Sequence, residues 1–344
     1  MDALPLTPEV PLSLVSPLRP PREAAIAGAV LSLAISVFVA VRALADPVAV
    51  VASVKGKVEC TPARGGAVQP LAFGRSLERG DRIAVAPGGA ATILFNDGRV
   101  IGLAEKSRLT VGGQPAAKPG VAPAAGLPGE VYASVTKFVA GGSRETGLMP
   151  VAELRSAPAL PDTPMLVAPR KTAIMTDRPA FSWRSVPGAT RYHIALSSAE
   201  QGELWSREAE GTSLEFPQDA AALTEDGEYL WEVEALSDVK PLRRESSVFS
   251  LLANAQATTV KANIDRIRDG AGGFDNPAAQ FLAGSYLSGL GLFLDASEHF
   301  GALCKLSPTS PAPHEALGTV YSKVGLMDLA AAEFQQALAL TREP

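Results

Sequence analysis

The spacing of apolar positions changes several times along this chain, and each change marks an element or a boundary. Ala24 to Val41 carries no charge and is apolar all round, with Ile26, Val30, Leu31, Leu33, Ile35, Val37, Phe38 and Val39. About 18 helical residues reach roughly 27 Å, close to the hydrocarbon thickness of a bilayer, so this run predicts a transmembrane helix. From Val48 to Val111 the pattern shifts to short β-branched runs separated by glycine and polar turns. Strands are expected at Val48 to Val54, Lys57 to Cys60, Ile83 to Val85, Ala91 to Phe95, Arg99 to Leu103 and Arg108 to Val111, with the sharpest hairpin signal at Asn96-Asp97-Gly98. Residues 112–163 read as a linker rich in alanine, glycine and proline. Within it Val131, Val135 and Phe138 fall on one face of a short helix expected to end at Gly141-Gly142. Between 164 and 252 the period of two returns, most cleanly where Tyr229, Trp231, Val233 and Ala235 alternate with Glu228, Glu232 and Glu234. Residues 253–344 take up a helical period, opening with a helix at about Ala255 to Arg268.

Two stretches in that last region share one pattern. The second runs His314, Leu317, Gly318, Tyr321, Gly325, Ala330, Phe334, Ala337, and the first runs Leu282, Ala283, Tyr286, Ala296, Phe300, Leu303, followed by Pro308. Aligned so, Leu282 to Leu317 and Tyr286 to Tyr321 are 35 apart, whereas Ala296 to Ala330 and Phe300 to Phe334 are 34 apart. This reading places a one-residue insertion in the turn near Gly289 to Leu292. Small residues where helices cross, with aromatics beside them, describe stacked helix–turn–helix units. The pattern resembles the tetratricopeptide repeat, with His314 where that family usually has tryptophan. The resemblance implies a helical array that binds a protein partner in its groove and performs no chemistry. Two copies and one preceding helix are close to the minimum of about three units for a stable stack. Docking against the sandwich, or completion by a partner, is therefore expected.

The β regions carry resemblances of their own. Leu77, Gly80, Asp81, Ala91, Leu94, Asp97, Gly98, Ser107 and Leu109 resemble the turn chemistry of the FecR-type extracytoplasmic β domain over residues 48–111. In residues 164–252, Trp183, Tyr192 and the Leu223-to-Tyr229 spacing resemble a fibronectin type III sandwich with its tyrosine corner. The fold class is thus multidomain α and β: transmembrane helix, small all-β domain, β-sandwich and α-helical repeat array.

Charge and chemistry narrow the function. The net charge is −5 and no basic block follows the N-terminal tail, so nucleic-acid binding is not expected. His193, His299 and His314 have no second ligand at suitable spacing on the same element, and Glu232 and Glu234 share a solvated strand face. No phosphate loop, nucleophile elbow or HExxH-type helix occurs. No catalytic, cofactor-binding or metal-ligating residue, and no cofactor, is expected. Cys60 and Cys304 fall in different domains, so a disulfide between them is not expected either.

Placement in the cell follows from the N-terminus and the FecR resemblance together. Arg19 and Arg22 precede the apolar run while Arg42, Lys55 and Lys57 follow it, so charge does not orient it. Ala43-Leu44-Ala45 leaves cleavage before Asp46 open, and a retained anchor is the reading preferred. The FecR resemblance puts the body in the periplasm of a single-pass inner-membrane protein. Classical FecR members carry a helical anti-sigma segment, which the proline-rich tail 1–23 is too short to form. The expectation is a non-enzymatic envelope scaffold, membrane-bound through Ala24 to Val41, with a protein partner on the repeats. Glycan or receptor contact through the β domain stays open, and the alternative is an envelope signal-sensing regulator of the FecR type.

Overall fold

The first strand, β1 (Ala49–Lys55), is buried on both faces, and this decides how the first half of the molecule packs. The computed structural model describes residues 47–112, 126–145, 164–237 and 243–342. The expected span at Ala24 to Val41 and the tail before it lie outside the described residues. Among the described residues no helix is long and apolar enough to cross a membrane.

The first β domain continues with β2 (Val58–Thr61), β3 (Gln69–Pro70), β4 (Ser76–Leu77), β5 (Arg82–Val85), β6 (Ala90–Phe95), β7 (Val100–Leu103) and β8 (Arg108–Thr110). They form two four-stranded sheets, ordered β4-β1-β6-β7 and β3-β2-β5-β8. Ala49, Val51, Cys60, Leu77, Ile83, Ile93 and Leu109 fill the space between them. The opposite face of β1 presents Val50 and Ala52, which join Leu94, Val100 and the helices in a second core. A strand covered on both faces reads as an unbroken apolar run, and Ala49 to Ala52 is such a run. Asp81 is buried and locks a turn, accepting from Ala63 N–H at 2.9 Å and Glu78 N–H at 3.0 Å.

Helix α1 (Gly129–Glu145) corrects the linker expectation twice. It runs through Gly141-Gly142 instead of stopping there. Each glycine costs a helix about 1 kcal/mol relative to alanine, and the helix is held by tertiary packing of its apolar face. Nor is it a spacer: Val131 and Val135 are fully buried, and Phe138 stacks on Phe300 with ring centroids 5.1 Å apart. Its approach is set at the β6–β7 turn, where Leu127 N–H donates to Gly98 O at 2.7 Å. A side chain at Gly98 would overlap the Leu127 backbone.

The second β domain contains β9 (Leu166–Ala168), β10 (Thr172–Ile174), β11 (Phe181–Trp183), β12 (Arg191–Ser198), β13 (Gly202–Ala209), β14 (Ser213–Leu214), β15 (Glu228–Leu236) and β16 (Arg244–Leu251). A five-stranded sheet, β10-β16-β15-β12-β13, faces a three-stranded one, β14-β11-β9. Phe181, Trp205, Trp231 and Phe249 cluster between them. Along β15 the expected alternation holds, with Tyr229, Trp231, Val233 and Ala235 buried. The Tyr229 hydroxyl accepts from Thr224 N–H at 2.8 Å and donates to Thr224 O at 2.9 Å. That loop-to-strand tie is a tyrosine corner, so the sandwich is fibronectin-like.

The C-terminal region is five helices: α2 (Asn254–Ala271), α3 (Pro277–Gly289), α4 (Phe293–Leu306), α5 (Pro311–Lys323) and α6 (Met327–Arg342). The pairs α3/α4 and α5/α6 are antiparallel hairpins joined by short turns. Pro277 and Pro311 open the first helix of each, in keeping with the preference for proline at the first helical position.

Candidate functional site: the helical hairpins and what covers them

The hairpins repeat with a strict period of 34: Pro277 to Pro311, Gly289 to Lys323 and Phe293 to Met327 bound equivalent helices. The expected one-residue insertion is therefore absent, and the first copy's leading helix was read one position out of register. A Cβ on Gly284 would lie 2.8 Å from the Phe300 ring, and one on Gly318 would lie 2.9 Å from the Phe334 ring. Gly284, not Ala283, is thus the crossing residue that matches Gly318. Gly291 (φ 81°) and Gly325 (φ 79°) close the two turns in the left-handed conformation. Ala296 and Ala330 are both fully buried, as are Phe300 and Leu303, whereas Ala337 is 3% exposed.

The other first-copy residues have different roles. Leu282 and Tyr286 are equivalent to Ala316 and Val320, not to Leu317 and Tyr321. Tyr286 accepts from Asn263 Nδ2 of α2 at 2.8 Å, and Asn263 also donates to Glu130 of α1. Every residue of α3 from Ala278 to Ser288 is buried. A helix covered on all sides carries apolar residues all round, so its sequence has no phase from which to read the register.

What covers α3 is this chain itself. Helix α1 packs on α3 and reaches α5, the leading helices of both hairpins. Phe73 of the first β domain meets Phe281 edge-on, with centroids 4.4 Å apart. The array's leading-helix face is thus filled over its first hairpin, where the sequence reading expected an open groove. The last helix is the opposite case. Only Ala330 and Ala337 of α6 are buried, while Met327 is 40% and Leu338 42% exposed.

The sandwich holds the two turns. Ala173 N–H donates to Gly291 O at 2.9 Å, and the Thr172 hydroxyl accepts from Phe293 N–H at 2.8 Å, capping α4 from another domain. One turn further on, Arg170 Nε donates to Val324 O at 2.8 Å while its Nη1 pairs with Glu245 at 2.8 Å. Arg184 pairs with Asp328 at the start of α6. Of the two alternatives expected for a short array, docking against the sandwich is present.

Histidine supplies a polar bridge inside each hairpin. His299 Nδ1 lies 2.7 Å from Gln280 Oε1, and His314 Nδ1 lies 2.7 Å from Glu333 Oε2. Gln280 and His314 are equivalent, as are His299 and Glu333, so the bridge recurs with its partners exchanged. Burial holds the His299 imidazole below the usual histidine range. His193 faces Glu234 across β12 and β15 on the sheet's outer side. Cys60 and Cys304 are both free thiols.

An open cleft of about 610 Å³ lies where the sandwich meets the first hairpin turn. Leu230, Val248, Leu290 and Phe293 line it, with Lys171 and Glu228 among its charged groups. Neither histidine nor cysteine lines it.

No protein-family model matches this sequence, and no curated protein matches it. Among solved structures, "MamA MSR-1 C2" is similar at 24% identity over 25% of this chain and 50% of its own, with a TM-score of 0.23. This chain therefore spans half the length of that one. The fn3 domain of human collagen alpha-1(XX) is similar at 20% identity over 29% of this chain and 93% of that domain, with a TM-score of 0.21. The FN1–FN3 domains of chicken CNTN1 are similar at 12% identity, covering 56% and 55%, with a TM-score of 0.19. At these scores the likenesses carry no functional argument, and the description of the modules rests on their own geometry.

Proposed function

We propose that this chain is a non-enzymatic scaffold of the cell envelope. Residues 24–41 hold it at the inner membrane, its body lies in the periplasm, and a protein partner docks on its last helix. The observation that carries this reading is the contrast between equivalent positions of α4 and α6. On α4, Phe300 is fully buried and Cys304 half-buried beneath α5. On α6 the matching residues are Phe334, half-buried, and Leu338, exposed. By the logic of the repeat, that ridge accepts another amphipathic helix packed as α5 packs on α4. The partner is therefore a protein that presents such a helix. The leading-helix face is filled internally, so binding there would first require α1 to leave.

The FecR-type relationship of residues 48–111 belongs to the same proposal. It is supported by Asp81, whose carboxylate ties two backbone N–H groups at the turn that carries the resemblance. The test is co-purification of partners with the tagged full chain from detergent-solubilised membranes, compared with Leu338→Asp. Loss of a specific partner in the variant, with folding intact, is the expected result; undiminished recovery removes α6 as the docking helix. Recovery of the chain in the aqueous phase, with Asp46 as its mature N-terminus, would refute the anchor.

A further inference from the structure

The junction of the two hairpins brings together Cys304 of α4, His314 of α5 and Glu333 of α6. One ligand atom from each lies within 4.8 Å of the other two. We propose that these three side chains form a mononuclear transition-metal site, for which zinc is the best-matched ion.

The donors suit it. Thiolate, imidazole and carboxylate bind zinc at about 2.3, 2.0–2.1 and 2.0–2.2 Å, and tetrahedral angles between such bonds set ligand atoms roughly 3.4–3.6 Å apart. The observed separations bracket that value, from 2.7 Å between His314 and Glu333 to at most 4.8 Å. Small side-chain movements bring all three onto one ion. His314 and Glu333 are shielded without being sealed, with side chains 15% and 24% exposed, which leaves a path for the ion. Three protein ligands leave a fourth position for water. Because each ligand comes from a different helix, the ion would tie α4, α5 and α6 together.

The repeat supplies an internal control. The polar bridge by itself is a packing device, since Gln280 and His299 form it in the first hairpin as well. The position equivalent to Cys304 is Gly270 of α2, so the thiol is added at the second junction alone. Burial, and then the charge of Glu333, push the Cys304 thiol up to about 12. Without metal the thiol therefore keeps its proton at neutral pH. Binding breaks the S–H bond, forms the metal–sulfur bond and releases one proton to water. The cation also neutralises the Glu333 carboxylate.

The test uses the full chain in detergent, Co²⁺ as the spectroscopic probe and Zn²⁺ as the competitor. Co²⁺ should give a thiolate charge-transfer band that saturates at about one equivalent per chain, and Zn²⁺ should bleach it. Apparent affinity should rise with pH, because a proton is displaced. Cys304→Ser should abolish the band, Glu333→Gln should weaken binding on the order of tenfold or more, and Gln280→Ala should leave it intact. A native chain that shows no band, or a band that survives Cys304→Ser, overturns the proposal. Should Cys304→Ser fail to fold, alkylation of Cys304 in the native chain decides. Saturating Zn²⁺ should slow it at least tenfold, and an unchanged rate overturns the site.

Discussion

Gly284 and Gly318 occupy equivalent crossings, yet their replacement by alanine should have unequal consequences. At Gly284 the new Cβ would lie 2.8 Å from Phe300 Cε1 and 3.0 Å from both Cδ1 and Cζ. Carbon atoms pack favourably at about 3.5–4.0 Å, so the ring must retreat by several tenths of an ångström. Phe300 has no room to do so: it is fully buried, stacked on Phe138 and within 6.5 Å of Phe281, centroid to centroid. At Gly318 the clash is similar, 2.9 Å from Phe334 Cε1, but Phe334 is only half-buried, so its ring has a solvent side toward which to yield. Both substitutions gain about 1 kcal/mol of helix propensity. Overpacking a closed site costs about 1–3 kcal/mol. Gly284→Ala should therefore destabilise the helical region by up to about 2 kcal/mol, while Gly318→Ala should be close to neutral. Denaturant midpoints followed by far-ultraviolet circular dichroism measure both. Adding Phe300→Leu to Gly284→Ala should recover part of the loss, a coupling that a double-mutant cycle isolates. Equal losses at the two glycines, or no loss at Gly284, would refute the reasoning.

Three further substitutions probe the scaffold. Trp231 is fully buried and donates to Pro169 O at 2.6 Å, so Trp231→Ala should cost about 3–5 kcal/mol in the sandwich transition; a surface-like change would mean the strand register is wrong. Thr172→Val should cost about 0.5–2 kcal/mol by uncapping α4 from the sandwich, seen as faster amide exchange at Phe293. Asp295 is pushed up to about 6 by burial, then by the charge of Glu298, against smaller opposing pulls from a backbone hydrogen bond and from Lys261. Its folded state favours the proton, so its contribution to stability is fully present below the unfolded value and is lost as pH rises through about 6. Asp295→Asn should flatten that slope between pH about 4 and 6, and parallel pH profiles for the two proteins would contradict it.

Legibility in the sequence followed exposure. Strand β15 was readable because one face is buried and the other wet, so its alternation survives. Helix α3 was recognised as a helix but misaligned, because burial on every side removed the polar face that sets the phase. Strands β3 and β4 have two residues each, too few for any period. Strand β13 buries Trp205 among polar neighbours at a sheet edge, and so gave no clean alternation. The role of α1 was hidden for another reason: Phe138 meets Phe300 and Glu130 meets Asn263 across long stretches of intervening chain. Cys304, His314 and Glu333 lie on three different helices, so no spacing motif joins them. Folding the sequence at 34 residues would have aligned Gln280 with His314 and His299 with Glu333, and left Cys304 as the unmatched residue.

We propose that the exposed face of α6, not the filled leading-helix face of the array, meets the partner. Site-specific photo-crosslinking in intact cells tests it directly, with the probe placed at Leu338 on α6 and, as a control, at Val68 on the first β domain. Both positions are exposed, at 42% and 57%. A discrete adduct with one protein from position 338 and none from position 68 is the expected result. No adduct at 338, or the same adduct from both positions, would contradict the account.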